Sequence, residues 1–238
     1  MKYREIHFEE IGSTNDYLRD NYSSLDNFTI ASADYQSHGK GRNSRVWKGN
    51  PKENLAFSIL IKNKDLVTYG GLFSLSSSVG VSKIIEKYLP NKKIEIKWPN
   101  DVYINDKKVC GILLEGNLPN YLVIGIGINI NQKDFIGEYR KTPTSLFLES
   151  RVEFDIDEFK KELFDELINS VSLTETKIKN QLDYFESHNY LKNKIVDFLY
   201  DKNRYQGKVV GVDNSFNLLI DIGEKVLSVS SGEIELIH

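Results

Sequence analysis

The sequence predicts an α+β fold, in which a mixed β-sheet flanked by helices is followed by a small C-terminal β-barrel. Three observations lead to this prediction. Short apolar or alternating runs are interspersed with segments of helical periodicity through the first part of the chain. A longer, mostly helical stretch then ends near residue 190. Beyond it, short apolar runs separated by Gly, Asn and Asp return, which is typical of closely spaced strands.

The composition is that of a folded globular protein, with 238 residues, 40% of them hydrophobic and 27% charged. A net charge of −3 argues against a general affinity for nucleic acid, which needs many cations. Cys110 is the only cysteine, so no internal disulfide forms and we expect a cytoplasmic location. The N-terminus lacks the apolar core of a signal peptide, and no run reaches the ~18 apolar residues of a membrane helix. We therefore expect no membrane partner.

The first elements follow from local patterns. Alternation in KYREIHFEE predicts a strand, and GSTNDYLRD predicts a helix that Ser13 caps, with Asp16 three residues further on. FTIASADY predicts a second strand. Residues 36–51 have no hydrophobic periodicity and contain four Gly or Pro residues, which predicts a loop of 16 residues. Loops of this length in compact domains are more often functional than shorter ones.

The central part of the chain is predicted to complete the sheet. NLAFSILIK predicts a strand, and apolar residues at helical spacing between Leu72 and Ile85 predict a helix through a Ser-rich segment. KIEIKW and DVYIN predict two short strands, followed by a turn at Asn105 and Asp106. KVCGILLEG and YLVIGIGINI predict two more.

The last third of the chain divides into a helical part and a β part. Asp155 can cap a helix whose apolar residues recur at intervals of three and four from Ile156 to Val171, and helix dominates to about Tyr190. From KIVDFLY onward, five short strands are predicted, which is enough for a small closed barrel. We therefore predict a catalytic domain at 1–190 and a β domain at 191–238.

A basic loop is the first candidate for chemistry. Between Gln36 and Lys52 there is no acid, and there are five cations: Lys40, Arg42, Arg45, Lys48 and Lys52. Gly39 and Gly41 allow backbone N–H groups to approach an anion, and guanidinium groups suit phosphate or carboxylate. The loop therefore resembles an anion clamp, although a solvated basic turn has the same composition. It does not have the spacing of a P-loop.

The second candidate is KWPND, residues 97–101, at the end of a predicted strand. Alternation places Lys97 and Trp98 on opposite faces, so that one of them faces a cavity. A lysine held there can offset charge that develops on a carboxylate or phosphate. The alternative is an edge lysine beside a proline turn.

Other motifs carry less chemistry. GIGIN contains half of a dinucleotide-binding fingerprint, but its pattern predicts a strand rather than a strand, turn and helix. Its glycines are therefore better explained by close packing of the backbone in a central strand, and Asn129 is predicted to lie at the end of that strand. The four histidines lack the spacing of metal ligands and there is one cysteine, so we predict no structural metal. Cys110 lies in an apolar strand, which favours a small buried side chain over a nucleophile.

Five motifs occur in one order along the chain: STN, YQSHGKGRNSRVW, KWPND, KVCGILLE and GIGIN. With the small C-terminal β domain, they make the chain resemble the biotin protein ligases over essentially its whole length. The resemblance implies a catalytic domain of the class II aminoacyl-tRNA synthetase/biotin ligase type and a C-terminal SH3-like barrel. Lys40 stands where the family usually has Arg, and Ser44 where it usually has Gly.

The resemblance also implies an activity. Such enzymes join biotin to ATP to give biotinyl-5′-AMP and pyrophosphate, with Mg²⁺, and then pass the biotinyl group to one lysine of a biotin carboxyl carrier domain. The carrier domain belongs to a biotin-dependent carboxylase. No side-chain nucleophile is needed, because the carboxylate of the substrate itself attacks.

Residue roles are carried over from the matching motifs. The resemblance implies catalytic roles for Lys97, Arg42 and Arg45. The residues that it assigns to biotin are Ser13, Thr14, Asn15, Gln36, Gly39, Lys40, Gly41, Arg42, Lys97 and Gly111. Those that it assigns to ATP and the adenylate are Arg42, Arg45, Trp47, Lys97 and Asn129.

Three further expectations concern the loop and partners. The glycine-rich basic loop is predicted to order over the ligand, protecting a mixed anhydride from water. Some relatives carry an N-terminal DNA-binding domain, but the twelve residues before Ser13 are too few for a helix-turn-helix. We therefore expect a ligase that does not bind DNA. A homodimer remains open.

Two alternative functions are compatible with parts of the sequence. A lipoate or octanoate protein ligase is the nearest, and the basic loop followed by Trp47, together with KWPND, favours biotin over it. A non-enzymatic anion or nucleic-acid module on the C-terminal barrel belongs to a different class. Acids outnumber cations in that part of the chain, so it offers no basic surface.

Overall fold

A computed structural model describes residues 2–43, 45–62, 66–137, 139, 141–230 and 234–236. These residues form twelve strands and five helices, arranged around two separate sheets. Ser44, one of the two departures from the family's loop pattern, lies outside the described residues.

The larger sheet has seven strands. In chain order they are β1 (Arg4–Ile11), β2 (Thr29–Gln36), β3 (Asn54–Ile61), β4 (Ile94–Lys97), β5 (Asp101–Ile104), β6 (Lys107–Asn117) and β7 (Tyr121–Asn129). In space the order is β1-β2-β3-β7-β6-β5-β4. The β1–β2 pair is parallel, whereas each other neighbouring pair is antiparallel. The prediction of a mixed sheet is therefore confirmed.

Helices cover both faces of this sheet. They are α1 (Thr14–Asn21), α2 (Leu66–Tyr88), α3 (Leu146–Ser150), α4 (Ile156–Ser170) and α5 (Glu175–His188). Along β3, Phe57 and Ile59 belong to the core that Phe159 of α4 also joins, whereas Leu60 packs with Leu18 of α1. Because both faces are covered, β3 and β7 are buried throughout and their sequences are mainly apolar.

Local signals placed the starts of α1 and α4 correctly, whereas α2 begins at Leu66, before the predicted Leu72. The Ser13 hydroxyl accepts the N–H of Asp16, and the Asp155 carboxylate accepts those of Asp157 and Glu158, which confirms both predicted caps. The short helix α3 was not predicted, since five residues are too few to show periodicity. Among the described residues, no helix is both long enough and apolar enough to cross a membrane.

The smaller sheet is antiparallel. Its strands are β8 (Ile195–Tyr200), β9 (Asn203–Val212), β10 (Leu218–Asp221), β11 (Val226–Val229) and β12 (Ile234–Leu236), in the order β11-β10-β9-β8-β12. The five short strands predicted for this part of the chain are present, and their antiparallel sheet is consistent with the predicted SH3-like unit. Helix α5 ends at His188 and β8 begins at Ile195. The division at residues 190 and 191 falls within that connection and stays a prediction.

Candidate functional site

A cleft of about 480 Å³ lies over β6 and β7. Its volume is in the range of small-molecule sites, roughly 300–1,000 Å³. Twelve of the thirteen residues that the sequence assigned to ligands line it: Ser13, Thr14, Asn15, Gln36, Lys40, Gly41, Arg42, Arg45, Trp47, Lys97, Gly111 and Asn129. Gly39 is the exception. A side chain at Gly39 would overlap the Trp47 backbone, so this glycine lets the two arms of the loop meet.

A chain of hydrogen bonds forms the recess beside α1. The backbone N–H and the hydroxyl of Thr14 both donate to Gln36 Oε1, at 2.7 and 3.0 Å. The Thr14 hydroxyl also contacts the Ser58 hydroxyl at 2.7 Å, and Ser58 donates to Asn15 Oδ1 at 2.5 Å. Asn15 Nδ2 in turn donates to Glu115 Oε2 at 2.6 Å. The polar side chains at the start of α1 are thus held in one orientation before any ligand binds.

Sequence reasoning missed two members of this network. Ser58 lies inside the apolar run LAFSILI, where a hydroxyl is itself a signal, since a buried polar group needs a partner. Glu115 carried no such signal. Its partner Asn15 lies 100 residues earlier in the chain, and only the sheet brings them together.

The glycines of GIGIN face the cleft. Gly125 and Gly127 lie two residues apart on β7 and so share one face of the sheet. A side-chain carbon at Gly125 would overlap the amide of Asn15, and one at Gly127 would overlap the Trp47 indole. The prediction of close packing in a central strand is confirmed, and the structure identifies the neighbours as two site residues.

The floor of the cleft continues onto β6. A side-chain carbon at Gly111 would approach Trp47 Cζ3 to 3.0 Å and Lys108 Nζ to 3.2 Å. Lys108 forms an ion pair with Asp101 at 2.7 Å, and its ammonium lies 5.8 Å from the centroid of the Trp47 ring. The space that Gly111 leaves is therefore shared by an indole and a lysine, and its predicted contact with biotin stays a prediction.

The basic loop forms a short hairpin. Lys40 and Val46 are bridged, Gly41 N donates to Arg45 O at 2.8 Å, and Trp47 N donates to Gly39 O at 2.9 Å. These bonds place the indole at the base of the hairpin, where it lines the cleft.

Lys40 is turned toward α1. Its ammonium pairs with Asp16 at 2.6 Å, and Asp16 also pairs with Arg19. The ion pair therefore holds the end of the Lys40 side chain at the first turn of α1.

The basic loop and KWPND meet at one point. Arg42 Nη1 donates to Asn100 Oδ1 at 3.2 Å, although the two residues are 58 apart in sequence. Asn100 is itself fixed, because its Nδ2 donates to Ile112 O at 2.6 Å. The guanidinium of Arg42 and the ammonium-bearing side chain of Lys97, at the end of β4, consequently line the same cleft.

Lys97 and Trp98 both contribute to the lining of the cleft, and the placement of their side chains on opposite faces stays a prediction. Trp98 is 2% exposed, and Lys97 is of intermediate exposure.

Asn129 lies at the end of β7, as predicted. Its Nδ2 donates to Thr144 O at 2.9 Å, whereas its buried Oδ1 has no hydrogen-bond partner among the described residues. A buried oxygen that lines a cleft and lacks a partner can accept a hydrogen bond from a ligand or coordinate a cation.

The segment between β7 and α3 forms another wall, and sequence reasoning missed it. Phe135, Tyr139, Lys141 and Pro143 line the cleft from this segment. The rings of Phe135 and Tyr139 pack edge to face at 6.0 Å. The segment shows neither helical nor strand periodicity, so the sequence offered no signal for its position.

Cys110 is completely buried in the main core, and burial raises the pKa of its thiol. Because the thiolate is the reactive form, we expect Ellman's reagent to leave the native protein unmodified at neutral pH. The same reagent should titrate one thiol after denaturation in guanidinium chloride. Reaction of the native protein at the rate of a free thiol would contradict this burial.

Comparisons with known proteins identify the family of the chain. A profile of the biotin/lipoate A/B protein ligase family matches residues 7–130. The bifunctional ligase/repressor BirA of Bacillus subtilis is 28% identical over 226 residues, which cover 87% of this chain and 66% of that protein. BirA of Escherichia coli is 27% identical over 232 residues, covering 95% of this chain and 72% of that protein. The chain thus spans slightly less than two thirds of the Bacillus relative.

The fold agrees as well. The structure of a biotin protein ligase from Aquifex aeolicus in complex with biotin and ATP superposes with a TM-score of 0.81 and 28% identity, covering 98% of both chains. The family profile spans more than half of the chain and includes α1, the basic loop, KWPND and GIGIN. The chain therefore belongs to the biotin/lipoate A/B protein ligase family.

Proposed function

We propose that this chain activates biotin with ATP to biotinyl-5′-AMP and transfers the biotinyl group to a lysine of an acceptor protein. The observation that carries the proposal is the convergence of Arg42 and Lys97, from two distant segments, on one cleft that also contains the polar recess beside α1. The similarity to a biotin protein ligase whose structure holds biotin and ATP supports it.

The recess suits the ring end of biotin. The ureido group of biotin is uncharged and offers one carbonyl acceptor and two N–H donors. Asn15 and Thr14 are already oriented by hydrogen bonds. The Gln36 side-chain oxygen accepts hydrogen bonds from Thr14, so its amide nitrogen is left to donate to a ligand. Preorganised polar groups of this kind reduce the entropy lost on binding.

The cations suit the first reaction. A carboxylate oxygen of biotin attacks the α-phosphorus of ATP, a C–O–P anhydride forms, and the bond from that phosphorus to the pyrophosphate oxygen breaks. Both reactants are anionic, so fixed cations are needed to bring them together and to stabilise the charge of the transition state. Lys97 would contact the carboxylate and the α-phosphate, while Arg42 and Arg45 would hold the phosphates.

Mg²⁺ fits this site as a companion of ATP. Mg²⁺ in such sites is held by the substrate phosphates and one or two protein oxygens. Asn129 Oδ1 is a buried oxygen at the cleft without a partner among the described residues, whereas the Asp101 carboxylate is paired with Lys108. Asn129 would therefore be the residue that holds the ion, through Oδ1, and the ion would supply positive charge to the phosphates.

The nucleotide base would lie beside Trp47. Its indole lines the cleft above the glycines of β6 and β7, and the aromatic rings of Phe135 and Tyr139 line the same cleft. Offset stacking on such rings is favourable for a planar base.

In the second reaction, the neutral amine of the acceptor lysine attacks the carbonyl carbon of the anhydride. A C–N bond forms, AMP leaves with the C–O bond electrons, and the amine loses a proton. We extend the proposal to a biotin carboxyl carrier domain as the acceptor and to a cytoplasmic location.

ATP–pyrophosphate exchange tests the proposal. The purified chain is assayed with biotin, lipoate and octanoate in parallel, each with ATP and Mg²⁺. We expect exchange with biotin alone. Exchange with lipoate or octanoate but not with biotin would establish the alternative ligase, and no exchange with any of the three acids would refute both.

The basic loop is expected to become more protected when biotin and ATP bind. Trypsin should cleave after Arg42 or Arg45 more slowly in the presence of both ligands, because the loop then lies over an anionic intermediate. Cleavage after the exposed Lys202, in the β8–β9 turn, serves as the control and should not change. Equal cleavage of the loop with and without ligands would count against closure.

A further inference from the structure

The connection to the C-terminal sheet runs along the strand that ends at Lys97. Asn189 forms a parallel bridge with Ile96, and Tyr190 N donates to Ile96 O at 3.0 Å. Strand β4 lies at the edge of the seven-stranded sheet, so this segment covers its open side. The residue before Lys97 is thus bonded to the chain that leads into the C-terminal unit.

The residue after Lys97 is bonded to the C-terminal unit directly. Trp98 Nε1 donates to Phe216 O at 2.8 Å, in the turn between β9 and β10. Trp98 is 2% exposed and belongs to a hydrophobic cluster that includes Leu218 and Val229 of the small sheet. A buried indole N–H needs such an acceptor. Lys97 therefore lies between two points of attachment to the C-terminal part of the chain.

The turn that presents the Phe216 carbonyl is itself well fixed. The Asp213 carboxylate accepts hydrogen bonds from Ser215 N and Asn217 N, each at 2.9 Å, and from Ser228 Oγ at 2.9 Å. Burial alone would raise the pKa of Asp213, but these bonds outweigh it and lower the pKa. Phe216 has φ of 67°, a conformation that non-glycine residues seldom adopt. The acceptor of the Trp98 bond is therefore held in place by its own turn.

We infer that Trp98 is a positioning residue for Lys97, and that the C-terminal sheet fixes the end of β4 through the Trp98–Phe216 hydrogen bond. The inference rests on the proposed function, because Lys97 needs accurate placement only if its ammonium takes part in that reaction. A cation that stabilises a transition state acts only when it is held close to the developing charge, and a shift of about 1 Å can cost about 10² in rate.

Trp98→Phe tests the inference, because it removes the N–H donor and retains an aromatic ring. Glu186→Ala is the matched control. Glu186 Oε1 accepts the N–H of Val212 at 2.9 Å, so it also joins the two parts of the chain, but at α5 and β9 rather than at β4. We expect both variants to lower the melting temperature, whereas Trp98→Phe alone should lower kcat for biotin-dependent exchange by about tenfold or more, with a smaller change in KM.

A double-mutant cycle separates positioning from general damage. If Trp98 acts through Lys97, Trp98→Phe should cause no further loss of kcat in a Lys97→Ala background. Independent losses that multiply would overturn the inference, and so would an unchanged kcat in Trp98→Phe alone. Asp213→Asn is a second variant, which leaves Trp98 in place and weakens the turn that presents the Phe216 carbonyl. It should also lower kcat.

Hydrogen exchange provides a readout that does not depend on activity. The amides of residues 94–101 should exchange faster in Trp98→Phe than in the unaltered chain, and should not do so in Glu186→Ala. Unchanged exchange at these amides would overturn the inference even if activity fell. Absence of biotin-dependent pyrophosphate exchange in the unaltered chain would instead refute the proposed function, so the two failures are distinguishable.

Discussion

Replacing Lys97 by alanine is expected to lower biotin-dependent ATP–pyrophosphate exchange by about 10²–10³-fold, the cost typical of removing one preorganised group that stabilises transition-state charge. Lys97 ends β4 and lines the cleft into which Arg42 also reaches. Without its ammonium, the biotin carboxylate and the α-phosphate would approach each other with less compensation of their charge. The measurement is kcat of exchange at saturating biotin and ATP.

Lys93→Ala is the control for this substitution. Lys93 lies just before β4, is 68% exposed at its side chain and pairs with Glu95 at 2.8 Å, away from the cleft-lining residues. Its replacement changes the net charge by the same amount as Lys97→Ala, but it should leave the rate of ATP–pyrophosphate exchange unaffected. If Lys97→Ala retained the exchange rate of the unaltered chain, the assignment of Lys97 as the central cation would be wrong, even though the family would stand.

Gly125→Ala is expected to weaken biotin binding and to destabilise the protein. The added methyl group would overlap the amide of Asn15, and that side chain would have to leave its bonds with Ser58 and Glu115. Buried polar groups left without partners cost about 1–3 kcal/mol each. Isothermal titration with biotin and thermal unfolding would measure the two effects, and we expect at least a tenfold loss of affinity, corresponding to about 1.4 kcal/mol.

Gly70→Ala is the matched control, since among the described residues no atom outside the adjoining helical backbone lies within 4 Å of the added carbon. Gly70 is in α2, where alanine is the better helix former by about 1 kcal/mol, so this variant should be as stable as the unaltered chain or more stable. Unaltered biotin affinity in Gly125→Ala would show that the recess beside α1 is not the biotin site.

The sequence determined the local elements of this protein. Alternation of apolar residues predicted β1, and apolar residues at helical spacing predicted α4, because each periodicity shows which face of the element is buried. The caps at Ser13 and Asp155 were predictable for a similar reason, since a capping side chain bonds N–H groups only two or three residues away. The motifs, in their order along the chain, were also sufficient to identify the family.

Tertiary structure alone decided which residues meet. Hydrophobic patterns state that a face is buried but not what covers it, because that depends on strand order and register. The order that places β3 beside β7 and β6 brings Ser58 and Glu115 to Asn15, over separations of 43 and 100 residues. Trp98 is a second example. The motif KWPND shows that Trp98 follows Lys97, but the hydrogen-bond partner of its indole, Phe216, lies 118 residues further along the chain. A hydrogen bond at that distance leaves no periodicity in the sequence, so only the packed chain reveals it.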